Sequence, residues 1–293
     1  SLHDALPISG KPLKDQFKVF HYLFKKPYDL NSEISLSKYR IFKANIKTIE
    51  EHNKVNTDFV QGITFFADFS REEYVDFATN QVMLENRAKL TRETNQIINF
   101  DDISDEDDDT EVIAQNEDKY PNFRETLGKT KDQRTCGGCW AFATSEMVEY
   151  AIYNTFSGKK EVLSPQSLID CDIYSSNEGC NGGDFPEALR FVKNTGIALE
   201  SEYPYRAYKS TCKSTSSKYK IKEYKTCQRY YGNGCKAELK RDMKNGIVGI
   251  GIDITAPGWQ FYRRGWFTNP CYKVAHAVVV FYRDEQGVNF LNS

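Results

Sequence analysis

The stretch Gln133-Arg134-Thr135-Cys136-Gly137-Gly138-Cys139-Trp140-Ala141-Phe142 sets a glutamine and a cysteine six residues apart, with the cysteine opening an apparent helix. That arrangement suits acyl transfer. The thiol is a nucleophile, and the glutamine amide can donate to the oxyanion that nucleophilic attack creates. At a helix start, backbone N–H groups and the macrodipole favour the thiolate. Two other readings share the Cys136-x-x-Cys139 spacing. A zinc site needs a second ligand pair at short spacing, and Cys171 and Cys180 do not form one. A thioredoxin-like redox site places its pair after a strand in a βαβ pattern, which the segment from Pro121 to Gln133 does not show.

Downstream, His276 heads the apolar, β-branched run Ala277-Val278-Val279-Val280-Phe281-Tyr282, which predicts a buried strand beginning at or just beyond the histidine. A histidine on such a strand is more often a core residue than a catalyst. Its position argues otherwise, because it follows Cys139 by 137 residues, and Asn292 follows Cys139 by 153. With these residues in place the chain resembles the papain-like cysteine proteases, whose signature is Cys-Gly-Ser/Ala-Cys-Trp/Tyr with histidine and asparagine well downstream. Gly138 stands where that family has serine or alanine. The resemblance extends to Leu163-Ser164-Pro165-Gln166-Ser167-Leu168-Ile169-Asp170-Cys171-Asp172, to Gly179-Cys180-Asn181-Gly182-Gly183, to Tyr203-Pro204-Tyr205 with Cys212, and to the stretch from Trp259 to Phe267.

The resemblance implies an α+β fold. A two-lobed catalytic domain, one lobe helical and one β-barrel-like, is preceded by an α-helical inhibitory propeptide. It implies a cysteine endopeptidase zymogen, activated by propeptide removal at acidic pH. Cys139 is then the nucleophile, paired with His276 as thiolate and imidazolium. Gln133 helps bind the oxyanion, and Asn292 orients the imidazole. Gly137, Gly182 and Gly183 fall where backbone lies along the substrate, and Gly251, Val274 and Ala275 where the main specificity pocket is lined. Disulfides Cys136–Cys180 and Cys171–Cys212 follow from the same resemblance. Cys227 and Cys235, in a segment that departs from the family, are expected to bridge each other. Cys271 is left without its usual partner, which in the family lies beyond the asparagine. The family also continues past Asn-Ser with Trp-Gly and further strands, so truncation by roughly 30–45 residues is expected at Ser293. Implied partners are protein or peptide substrates, the chain's own propeptide and cystatin-like inhibitors. No metal and no cofactor are called for, and a monomer is expected.

The N-terminal third is read in the same way. The first ten residues, Ser1 to Gly10, have neither an initiator methionine nor an apolar core and resemble a cloning or assembly scar. Residues from Phe17 to Asn56 carry helical periodicity, with Tyr39, Phe42, Ile46 and Ile49 on one face. Phe42, Asn45, Ile49 and Asn53 also match half of the inhibitory-propeptide signature, with Lys38 and Ile34 as departures. Gly62-Ile63-Thr64-Phe65-Phe66-Ala67-Asp68 resembles the second propeptide motif, with Thr64 in place of asparagine. Ser70 and Glu73 are spaced for a capping box. The expected domains are a propeptide over 11–100, an acidic linker over 101–119 and a peptidase domain over 120–293. Eight of the eleven residues from Asp101 to Glu111 are acidic, the mark of a solvated linker, and one sharper reading makes the block a pH switch for maturation. Cleavage is expected between Val112 and Tyr120.

Composition sets the outer bounds. A net charge of −2 gives no nucleic-acid signature. No run of about 18 apolar residues exists to span a membrane. Eight cysteines favour an oxidising compartment, so a secretory-pathway destination is expected, whether lysosome-like, a digestive vacuole or outside the cell. Two rival functions stand beside the protease. A catalytically silent homologue would keep the fold and act by binding. A disulfide oxidoreductase would cycle Cys136 and Cys139 and leave Cys136 without a stable bridge to Cys180.

Overall fold

The periodic segment beginning near Phe17 folds as two helices rather than one: α1, Leu13–Leu23, and α2, Glu33–Val55. Pro27 lies in the connection, where a proline inside a helix would cost a hydrogen bond and clash with the preceding turn, and Lys25 takes a φ of 47°. Ser32 restarts the chain as an N-cap, its side chain accepting from the Ser35 N–H. The computed structural model describes residues 11–78, 130–214, 219–226, 242–243, 246–269, 275–283 and 288–292. The first ten residues, the stretch expected to be an acidic linker with a cleavage site, Cys227, Cys235, Cys271 and Val274 lie outside the described residues.

The chain divides into two compact units, the first formed by 1–77 together with 254–271. In it α1 and α2 close on Phe17, Phe20, Phe42, Ile46 and Ile49, joined by Ala67 and Phe261. The asparagines singled out on α2 hold the following chain. Asn45 Nδ2 donates to the carbonyls of Ala67 and Phe69, both at 2.9 Å, and Asn53 exchanges two hydrogen bonds with the Gln61 backbone. Strand β1, Phe59–Gln61, pairs antiparallel with β3, Tyr262–Gly265. Asp68, fully buried, receives Lys26 Nζ at 2.8 Å and the Tyr28 hydroxyl at 2.6 Å. Helix α3, Arg71–Ala78, starts on the reciprocal pair read from the sequence: Ser70 N donates to Glu73 Oε2, and Glu73 N to Ser70 Oγ.

The second unit, 78–253 with 272–293, carries α4 (Cys139–Thr155), α5 (Pro165–Cys171) and α6 (Phe185–Asn194). It also holds a three-stranded antiparallel sheet of β2 (Val248–Ile252), β4 (His276–Arg283) and β5 (Val288–Leu291), with β4 central. Trp140, Leu163, Leu168, Ile169, Val192 and Ile197 pack one core around α4. On another side of the same helix, Cys139 and Ala143 meet Ala277 and Val279 of β4. Val278 and Val280 face Met243, Ile250 and Phe290. A central strand covered on both faces reads as a continuous apolar run, which is what the sequence after His276 shows. Separate helical packing and antiparallel sheets make the fold α+β.

Candidate active site

Cys139 is the first residue of α4, so its side chain sits where the helix presents its first-turn N–H groups. Two glycines make the approach to that helix possible. A Cβ on Gly137 would lie 2.6 Å from the Cys180 carbonyl oxygen, and Gly137 N donates to that oxygen at 3.0 Å. A Cβ on Gly138 would come 3.0 Å from Ile169 Cδ1, which accounts for a small residue there. Cys136 and Cys180 form one disulfide and Cys171 and Cys212 another. Cys139 takes part in neither and is buried.

His276 opens β4 and is buried against Cys139, with which it shares a hydrogen bond. Its Nε2 lies 2.6 Å from Asn292 Oδ1, just past the end of β5. Because the amide oxygen accepts, Nε2 carries the proton, and this fixes the ring's orientation. Burial by itself disfavours the imidazolium. The Cys139 thiolate and the bonds from Cys139 and Asn292 outweigh it and hold the histidine above its ordinary range. The Gln133 side chain is buried two residues beyond Lys131 and donates through Nε2 to the Cys136 carbonyl at 3.2 Å, while the Gln133 backbone carbonyl accepts from the Tyr205 hydroxyl.

Of the other singled-out residues, Gly182 has a φ of 115°, a conformation that favours glycine. A Cβ on Gly183 would stand 2.7 Å from the Trp140 ring. Gly251 pairs with Ala277 in the ladder, next to the Ile252–His276 pair, and Ala275 N donates to the Ile252 carbonyl at 3.0 Å. The sheet register thus brings Gly251 and Ala275 beside the histidine.

Sequence reasoning passed over the support behind α4. Lys131 Nζ contacts Glu149 Oε1 at 2.6 Å and Ser145 Oγ at 3.0 Å, and the same Glu149 oxygen accepts from Leu163 N. Burial raises Glu149, with Lys131 opposing. Glu146 is buried too, and its carboxyl is pushed up to about 8 by desolvation, with Lys131 opposing and Glu149 adding to the rise. A glutamate amid the small and apolar residues of this helix was the available signal. Gly249 was also missed: a Cβ there would sit 2.9 Å from Met147, so the glycine lets β2 approach α4. Among the described residues no group of three or more His, Cys, Asp or Glu is placed to hold a metal ion, and no helix is long and apolar enough to cross a membrane.

A thiol at a helix start, a buried imidazole against it and an amide oxygen behind that imidazole define the class: a cysteine-dependent hydrolase site on a papain-like frame. The papain family cysteine protease profile matches residues 118–291, and the cathepsin propeptide inhibitor domain profile matches residues 17–74. The chain belongs to the papain family of cysteine proteases. It is 33% identical over 265 residues to cysteine proteinase COT44 of Brassica napus, covering 86% of this chain and 76% of that protein. It is 31% identical over 236 residues to the senescence-specific cysteine protease SAG39 of Oryza sativa subsp. japonica, covering 80% and 65%. Among solved structures, the proform of the ragweed pollen allergen Amb a 11, a cysteine protease, aligns at a TM-score of 0.70 and 23% identity, over 99% of this chain and 92% of that one.

Proposed function

We propose that this chain is the zymogen of a cysteine endopeptidase. The observation that carries the reading is the buried His276 held between Cys139 and Asn292 Oδ1, with its charged form favoured despite burial. In the resting enzyme the Cys139 proton resides on His276. The thiolate attacks the peptide carbonyl carbon, and the oxyanion is stabilised by Gln133 and the Cys139 N–H. His276 gives its proton to the leaving amine, and the acyl group remains on sulfur. Water, deprotonated by His276, then attacks the thioester carbonyl, releasing the acid and regenerating the Cys139 thiolate beside a protonated His276. Asn292 keeps the imidazole turned toward sulfur, the orienting role of a third group. Gly182 and Gly183 offer backbone to an extended substrate, and Gly251 with Ala275 lines a roomy apolar pocket.

Residues 11–100 act as the inhibitory propeptide and are removed at acidic pH. The profile match over 17–74 and the Lys38–Glu73 pair, which weakens in acid, support this. The two disulfides favour folding in the secretory pathway. The formed Cys136–Cys180 bridge speaks against an oxidoreductase that cycles Cys136 with Cys139.

A cysteine-directed epoxide tests the reading. The full-length protein is acidified in mild reductant, labelled, and mapped by peptide mass spectrometry. An adduct on Cys139 that disappears in His276→Ala is the expected result. A folded, propeptide-free protein that takes no label would make the chain a silent homologue.

A further inference from the structure

The loop between Cys171 and Cys180 carries a buried amide–carboxylate pair that the chemistry above does not use. Asn177 Nδ2 donates to Asp172 Oδ2 at 2.6 Å, and Asn177 Oδ1 accepts from the Asp184 backbone N–H, also at 2.6 Å. Both side chains are 4% exposed. The amide is thus gripped at both ends, one bond to a carboxylate on the near side of the loop and one to backbone on the far side. Charge-assisted bonds of this kind are short and directional.

What the far bond fixes is the segment Gly182-Gly183-Asp184. A Cβ on Gly183 would lie 2.6 Å from Asn177 Oδ1 and 2.7 Å from the Trp140 ring, so the glycine backbone rests directly on these two side chains. Glu178 N donates to the Gly182 carbonyl at 2.9 Å, closing the same turn. Trp140 Nε1 donates to the Gly179 carbonyl at 3.1 Å and ties the turn to α4. Trp140 is wholly buried and locked by the core, which leaves Asn177 as the adjustable half of the support.

We propose that Asn177, oriented by Asp172, is a positioning residue for peptide binding that sets where the Gly182–Gly183 backbone meets an extended substrate. The inference rests on the reading of those glycines as substrate-binding. Among the described residues the hydrogen bonds of Asn177 run to Asp172, Asp184 and Ser175 and not to sulfur or imidazole, so its effect falls on substrate affinity rather than on the thiolate. Asp172 is itself raised by burial, with bonds from Asn177 and Ser175 opposing, Glu187 adding to the rise and Arg190 opposing it.

Asn177→Asp is the informative variant, because it keeps the shape and the acceptor for Asp184 N. It places two carboxylates within hydrogen-bond distance, an arrangement that survives only while they share a proton. The processed full-length enzyme is assayed with a tripeptide amide substrate, and in parallel Cys139 is alkylated with iodoacetamide, which is too small to need the glycine backbone. Between acid and neutral pH the variant's KM rises by about tenfold relative to wild type, the equivalent of about 1.4 kcal/mol, while its alkylation rate follows wild type. The reciprocal pair Asp172→Asn with Asn177→Asp puts the amide and the carboxylate back in contact with reversed polarity, and it restores the wild-type KM. Asn177→Asp with wild-type KM at both pH values overturns the proposal. So does a folded reciprocal variant whose KM stays raised, and this second test holds even where Asn177→Asp fails to fold. A wild-type enzyme whose Cys139 is not alkylated in acid would instead overturn the protease reading.

Discussion

Glu146 makes the stability of the catalytic unit depend on pH in a direction that can be calculated. Its carboxyl is buried on α4, one oxygen has no hydrogen-bond partner among the described residues, and desolvation pushes it up to about 8 from 4.5. In the unfolded chain the group loses its proton near the ordinary value, while in the folded protein it stays protonated. Its contribution is therefore complete below about pH 4.5 and is lost as pH rises toward 8. Each unit of pH in that window costs about 1.4 kcal/mol, so by pH 7 the loss reaches about 3 kcal/mol. Glu146→Gln keeps the shape and removes the titration. At pH 7 the variant should be more stable than wild type by about 3 kcal/mol, roughly 6–12 °C in Tm for a domain of this size. Near pH 4 the two should coincide. Thermal and urea unfolding of the processed enzyme at unit pH steps from 4 to 8 read this directly. Parallel pH profiles for the two proteins would refute the reasoning, since Glu146 would then be titrating normally in the fold.

Three further expectations concern the surroundings of the site. Lys131→Met removes the cation beside Glu149 and leaves a buried carboxylate uncompensated, at a cost of about 3–5 kcal/mol in urea unfolding, most of which Glu149→Gln added to the same chain should return. Gly183→Ala should destabilise by about 1–3 kcal/mol, because the new Cβ meets the fixed Trp140 ring, whereas Gly249→Ala should cost less than about 1 kcal/mol, because Met147 can swing aside. In the first unit, burial pushes Glu73 up, yet the bonds from Lys38 and the Ser70 N–H hold it below the ordinary carboxylate range, so they stabilise fully above the usual Glu value and are lost as pH falls from there through the lowered folded value. Glu73→Gln should accordingly lower the thermal stability of the proenzyme's propeptide at neutral pH and leave it unchanged near pH 3, as followed by circular dichroism; equal losses at both would count against the pairing.

The parts of this fold legible in the sequence are those whose cause is local. The capping pair of Ser70 and Glu73, the strand after His276 and the helix at Cys139 each follow from short-range pattern. Asn45 and Asn53 could be picked out as a motif, but their partners, the carbonyls of Ala67, Phe69 and Gln61, lie across a turn that no periodicity announces. The helix break at Pro27 was written in the chain, yet the apolar face continuing beyond it masked the stop. Least visible were the groups that support α4 from behind. Glu146 and Glu149 are buried and Lys131 partly so, and beyond the apolar company the two glutamates keep on the helix, only long-range packing brings the three together. Asn177 falls in the same class, since an asparagine in a polar loop gives no sign that both its ends are held.

Twelve of the seventeen residues of α4 are buried, among them a serine, a threonine and two glutamates. A helix with almost no wet side has almost no neutral positions. Random substitution will therefore strike activity and folding together from Cys139 to Tyr150, and only the last turn, with Ala151, Asn154 and Thr155 exposed, is spared. Diversification of this enzyme should spare the buried turns of α4, whereas Ile173 and Tyr174 stand exposed and can drift at little cost to the scaffold.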